Sequence, residues 1–158
     1  MNKKELSPHF AQKLLDAALE ARKHAYAPYS NFTVGASVLT ENGEVFTGCN
    51  IENVSYGATV CAERVAIFKA ISAGHKSIKA LAVVADHPEP ISPCGICRQA
   101  MSEFGSDADV LMANTKGHTR TTNMKELLPI TFELLKREIT KREQLGPSVI
   151  PSKTLLKM

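Results

Sequence analysis

A three-layer α/β/α sandwich on a mixed sheet of about five strands is the fold class this sequence predicts, and three observations predict it. Read from hydropathy, the elements follow the order αββαβαβ(β)α, with strands and helices interleaved rather than segregated. Asn42-Gly43 stands between two segments rich in β-branched and apolar residues, the strongest short hairpin signal a sequence carries. Residues 78–85 form an apolar run broken only by Lys79, as a strand buried on both faces of a sheet does.

The elements follow in order. Ser7-Pro8 reads as an N-cap with proline at the first helical position, and Phe10, Leu14, Leu15, Ala18 and Ala21 recur at three- and four-residue spacing, so a helix is expected over 8–24. Ala27-Pro28-Tyr29-Ser30-Asn31 breaks it, and 32–39 with 44–49 make the antiparallel pair around Asn42-Gly43. Residues 48–59 read as a loop rich in polar side chains. A helix over 61–73, stopped by Gly74, is apolar on nearly every side and is expected to be central and covered on both sides. After the strand at 78–85, Ser92-Pro93 again reads as a cap with proline at the first helical position, which places Cys94 and Cys97 three apart on one face of that helix. A strand over 109–113, a weaker one at 119–122, a single helical turn at 124–128 and a charged helix at 131–145 complete the chain, with an extended tail after Gly146-Pro147.

Length and composition restrict the function. At 158 residues, 44% hydrophobic and 22% charged, the chain matches one soluble globular domain, assigned to 1–135, with 136–158 as a charged helix and tail of the same unit. The N-terminus runs straight into polar residues and the longest purely apolar run, 80–85, is far too short for a membrane span, so a cytoplasmic protein without membrane contact is expected. The formal charge is +3, but residues 136–158 carry +4 of it and leave the preceding residues at −1. No basic face remains for a nucleic-acid partner.

Chemistry concentrates in Cys61-Ala62-Glu63-Arg64 and Pro93-Cys94-Gly95-Ile96-Cys97-Arg98-Gln99. A C-x-x-C by itself fits a redox pair, half of a structural zinc site, or two buried cysteines. Cys61, Cys94 and Cys97 together offer three thiolates where a structural zinc wants four protein ligands, which is the pattern of a catalytic ion with its fourth position open to water. Cys49, at a strand end, reads as a small buried hydrophobe. Three thiolates leave Zn²⁺ with a net charge of −1, which two helix N-termini aimed at the metal offset, and Arg64 and Arg98 are positioned to add hydrogen bonds to the sulfurs. Glu63 can be a carboxylate favourably placed on a helix dipole; on so apolar a helix, two positions from a ligand, it reads as a proton shuttle.

These two stretches closely resemble the cytidine deaminase family, in its small homotetrameric, three-cysteine zinc branch. Tyr29-Ser30-Asn31-Phe32-Thr33-Val34-Gly35-Ala36, Gly48-Cys49-Asn50-Ile51-Glu52-Asn53 and Glu126-Leu127-Leu128-Pro129 followed by Phe132 are also similar to that family. The chain departs from it at Ile130-Thr131 and in its charged tail. The resemblance implies one Zn²⁺ per chain on Cys61, Cys94 and Cys97, and Glu63 as the catalytic acid and base. It further implies Asn50 and Glu52 on the ribose hydroxyls, Phe32 lining the nucleoside pocket, and the Ala62 backbone on the cytosine edge. Phe132 and Tyr56 would reach the site of a neighbouring subunit in a homotetramer with shared active sites.

The activity it implies is hydrolytic deamination of cytidine and 2′-deoxycytidine to the uridines with release of ammonia, a step of pyrimidine salvage. Three other readings are weighed against it: a related deaminase acting on a nucleoside antibiotic or on a base in RNA, a zinc-stabilised binding module without catalysis, and a redox protein. The near-neutral body argues against RNA, the missing fourth protein ligand against a binding module, and Cys61 with Glu63 against redox chemistry.

Overall fold

The computed structural model describes residues 6–133. Helix α1 spans Pro8–Arg22, strands β1 and β2 span Val34–Thr40 and Val45–Cys49, and α2 spans Ala62–Ser72. Strand β3 (Ile78–Ala85), helix α3 (Gly95–Phe104), strands β4 (Asp109–Asn114) and β5 (Thr119–Asn123) and the short α4 (Met124–Leu127) follow. The strands form one sheet in the order β2-β1-β3-β4-β5, in which β3 and β4 are parallel and all other neighbours antiparallel. This is the predicted mixed five-strand sheet. Among the described residues no helix is long and apolar enough to cross a membrane.

Strand β3 shows why its sequence alternates nothing. Ala80, Ala82 and Val84 face one layer, where they meet Leu14 and Ala18 of α1. Leu81, Val83 and Ala85 face the other, against Ala66 and Ile67 of α2 and Met101 of α3. Successive residues serve different cores, so from Ala80 to Ala85 all are apolar.

Two glycines let the helices approach. A Cβ on Gly35 would lie 1.9 Å from the Ala18 carbonyl oxygen, and one on Gly48 2.5 Å from that of Ala62. These obstacles are helix backbone, which cannot rotate away as a side chain can. Gly35 therefore seats α1 on one face and Gly48 seats the start of α2 on the other.

Three expectations are corrected. Helix α3 does not begin at Pro93: Cys94 is its N-cap, with extended backbone, and Gly95 is its first residue. The Ser92 hydroxyl instead accepts from Arg98 Nη2 at 3.0 Å. Helix α2 is covered on one side only, and Phe68 on its outer side is 48% exposed. The charged helix expected over 131–145 begins in residues that are not helical at 131–133, and the remainder, with the tail, lies outside the described residues.

Candidate active site

Two helix starts meet on one side of the sheet. Cys61 is the N-cap of α2 and Cys94 the N-cap of α3, and neither sulfur bonds to the amides of its own first turn. Cys97 follows in the first turn of α3. The positive ends of both helix dipoles therefore point at one cluster of sulfurs. The Cys61 and Cys94 sulfurs are 3.8 Å apart, and all three sulfurs lie within 4.8 Å of one another. Tetrahedral zinc with bonds of about 2.3 Å to sulfur needs sulfurs roughly 3.8 Å apart, so these residues fit the ion.

The electrostatics agree with a cation site. Hydrogen bonding to Cys97 holds the Cys61 thiol down at about 5, while the same bond pushes the Cys97 thiol up. Arg64 Nη2 donates to the Thr59 carbonyl at 3.2 Å and lies 3.9 Å from the Cys61 sulfur, while its Nε is buried without a partner.

Glu63 lies in the first turn of α2 and is 5% exposed. Burial pushes its carboxyl up to about 7, and the Cys61 charge pushes in the same direction. A carboxyl that titrates near neutrality can hold a proton and give it up under the same conditions. Ala62, beside it, is fully buried.

The polar loop is drawn to the sulfurs by Ile51, which pairs with Tyr26 on one side and Val60 on the other. Asn50 and Glu52 thereby flank a residue that is hydrogen-bonded to the neighbour of Cys61. Their side chains hold the segment carrying Phe32. Asn50 accepts from the Val34 amide and donates to the Phe32 carbonyl, both at 2.8 Å. Glu52 accepts from the amides of Tyr29 and Ser30 at 2.9 and 3.2 Å and from the Ser30 hydroxyl, which is the main reason its carboxyl titrates below the usual range. An amide has two N–H groups and two lone pairs, so Asn50 keeps one of each beyond these bonds.

Arg98 does something other than expected. Its guanidinium makes no contact with sulfur; it donates to the carbonyls of Pro93 at 2.8 Å and Leu127 at 3.0 Å and to the Ser92 hydroxyl. It ties the loop before Cys94, which presents two of these acceptors, to the end of α4, which presents the third. Asn114, 4% exposed at the end of β4, holds the same loop further back by donating to the Pro88 carbonyl at 2.8 Å. No pattern in the sequence marked Asn114. Tyr56 and Phe132 are 78% and 71% exposed, Tyr56 meeting only the edge of Tyr29 at 6.4 Å between ring centres. Cys49 lies apart on β2, half-buried, its thiol pushed up by burial.

Three sulfurs and a buried carboxyl at paired helix starts of an α/β/α sandwich define a zinc-dependent hydrolytic enzyme. The model of the cytidine and deoxycytidylate deaminase zinc-binding region matches residues 8–113, and the chain belongs to that family. It is 51% identical over 122 residues to a cytidine deaminase of Sporosarcina psychrophila, covering 77% of this chain and 90% of the relative. A cytidine deaminase of Halalkalibacterium halodurans is 49% identical over 122 residues, covering 77% and 92%. Among solved structures, a cytidine deaminase from Burkholderia pseudomallei superposes with a TM-score of 0.75 at 48% identity, over 80% of this chain and all of the other.

Proposed function

We propose that the protein hydrolyses cytidine and 2′-deoxycytidine to uridine and 2′-deoxyuridine, releasing ammonia. The observation that carries this reading is the buried Glu63 carboxyl beside three sulfurs spaced for a tetrahedral ion. Cys61, Cys94 and Cys97 hold one zinc per chain. Bound there, zinc would supply Lewis acidity to the hydrolytic water. Glu63 takes a proton from the attacking water and delivers one to ring N3, which makes C4 electrophilic. Once the C4–O bond has formed, Glu63 takes the remaining hydroxyl proton from that oxygen and passes it to the amine as the C4–N bond breaks, which leaves the C4 carbonyl. Water and the nucleoside thus balance the keto product and ammonia, and one carboxylate serves both directions.

Asn50 and Glu52 bind the ribose hydroxyls with the hydrogen-bonding capacity left after they hold the Phe32 segment. Phe32 forms the pocket wall, and the Ala62 backbone meets the cytosine edge. Arg64 supports the Cys61 thiolate. Arg98 orients the loop before Cys94.

The chain works as a homotetramer with shared sites. Exposed Tyr56 and Phe132 and the open side of α2 at Phe68 support this reading, since apolar groups of that size gain from burial against a neighbour. Residues 1–135 form the catalytic domain and 136–158 belong to the same unit. The setting is pyrimidine salvage in the cytoplasm, without nucleic-acid or membrane partners.

Ammonia release from cytidine, 2′-deoxycytidine, cytosine and CMP, with zinc per chain measured on the same sample, tests the reading. Turnover of both nucleosides but of neither base nor nucleotide, at one zinc per chain, is expected. Bound zinc without turnover of either nucleoside overturns it.

A further inference from the structure

The residue after Arg98 has no role in anything described so far, yet it makes two bonds to one distant residue. Gln99 Nε2 donates to the Phe132 carbonyl at 3.1 Å, and Gln99 Oε1 accepts from the Phe132 amide at 3.4 Å. A side-chain amide that takes both backbone groups of one residue imitates a strand partner, and it fixes the orientation of that residue as well as its position. Residues 128–133 are irregular, and Phe132 is 71% exposed, so packing among the described residues does not place its ring. Upstream, the Leu128 amide donates to the Met124 carbonyl at 2.9 Å, and Arg98, from the same turn of α3, donates to the Leu127 carbonyl at 3.0 Å. Three consecutive residues of one helix turn thus hold the sulfur cluster, the loop before it and the Phe132 segment.

We propose that Gln99 is the positioning residue for Phe132, aligning that aromatic with the nucleoside site from the helix that also carries Cys97. The inference rests on the reading above, in which Phe132 serves a nucleoside pocket. It adds what sets the ring in place: the amide of Gln99 rather than burial. Because Gln99 touches neither sulfur nor the reacting atoms, its loss weakens substrate binding and leaves the chemistry intact.

Gln99→Leu removes both bonds at similar volume, and Gln99→Glu keeps the acceptor for the Phe132 amide while losing the donor to its carbonyl. Each is compared with Phe132→Ala and with Gln99→Leu combined with Phe132→Ala, by kcat and KM for cytidine and by zinc per chain. Gln99→Leu is expected to raise KM about tenfold with kcat within about twofold and zinc unchanged, and Gln99→Glu to raise KM as well. Adding Phe132→Ala to Gln99→Leu then brings no further loss, since the second change removes a ring already out of place. A purely structural role would lower zinc content and kcat together, and that result overturns the proposal. If Phe132→Ala raises KM but Gln99→Leu does not, the positioning role fails while the reading of Phe132 stands. If Phe132→Ala leaves KM unchanged, Phe132 has no place in the pocket, and the proposal falls with that reading.

Discussion

The sulfur cluster and the aromatic rim differ in what holds them. The cluster is carried by two helix starts pressed onto the sheet, with Glu63 and Cys97 buried among core residues. The rim comprises Phe32, Tyr56 and Phe132: the side chains of Asn50 and Glu52 hold the backbone around Phe32, Gln99 holds that of Phe132, and Tyr56 stands on a single 3-10 turn. Proton transfer needs groups aligned to fractions of an ångström, and burial on rigid elements supplies that. A pocket wall completed by another subunit needs an apolar surface left open within one chain. A centre built into the core should therefore fail through its chemistry, and a rim held by hydrogen bonds should fail through affinity.

The largest effect expected is on the centre itself. Cys94→Ala removes one of three ligands and should abolish both zinc content and turnover; full zinc in that variant would show that the ligand set is different. Glu63→Gln keeps the shape and the metal, and turnover should fall by about 10²- to 10⁴-fold at unchanged zinc per chain. Near-normal turnover would remove Glu63 from proton transfer.

Next comes the support beneath the centre. Gly48→Ala would set a Cβ 2.5 Å from the Ala62 carbonyl oxygen and 2.6 Å from the Ala66 amide nitrogen, forcing α2 off the sheet. Overpacking of this kind costs about 1–3 kcal/mol, readable as a lower urea midpoint, and turnover should fall with it because Glu63 moves with the helix. A stable but inactive variant would sharpen the comparison, by showing that the centre senses displacements too small for stability to register.

The smallest expected effect on stability lies at the rim. Tyr56→Ala should change unfolding free energy by less than about 0.5 kcal/mol, since the ring is 78% exposed, while KM for cytidine rises several-fold. If the same substitution instead left KM alone, the rim would have no share in substrate binding at Tyr56.

Local patterns were legible where nothing distant competed with them. Ser7-Pro8 starts α1 as read, the Ser7 hydroxyl accepting from the Phe10 amide at 3.4 Å. Ser92-Pro93 has the same two residues but starts nothing; its hydroxyl and the Pro93 carbonyl accept from Arg98. The helix begins two residues later, which makes Cys94 an N-cap like Cys61. Arg98 was read as a thiolate partner because it stands next to Cys97. Adjacency in a helix cannot say where a long side chain ends, and here its acceptors lie in the loop before Cys94 and at the end of α4. The composition of α2 was read as a helix covered all round, yet an apolar outer side at Phe68 looks the same in sequence whether the chain or a neighbour covers it.

By itself the sequence determined the hairpin at Asn42-Gly43, the doubly buried β3 and the two short stretches that carry Cys61 with Glu63 and Cys94 with Cys97, for each is a pattern whose physics lies within a few residues. The tertiary structure decided what depends on distant partners: the convergence of the two N-cap sulfurs at 3.8 Å, the burial that brings the Glu63 carboxyl to about 7, and the grip of Gln99 on Phe132, thirty-three residues away. Such contacts arise only once the sheet has brought α2, α3 and residues 128–133 together, since spacing along the chain carries no record of distances across it.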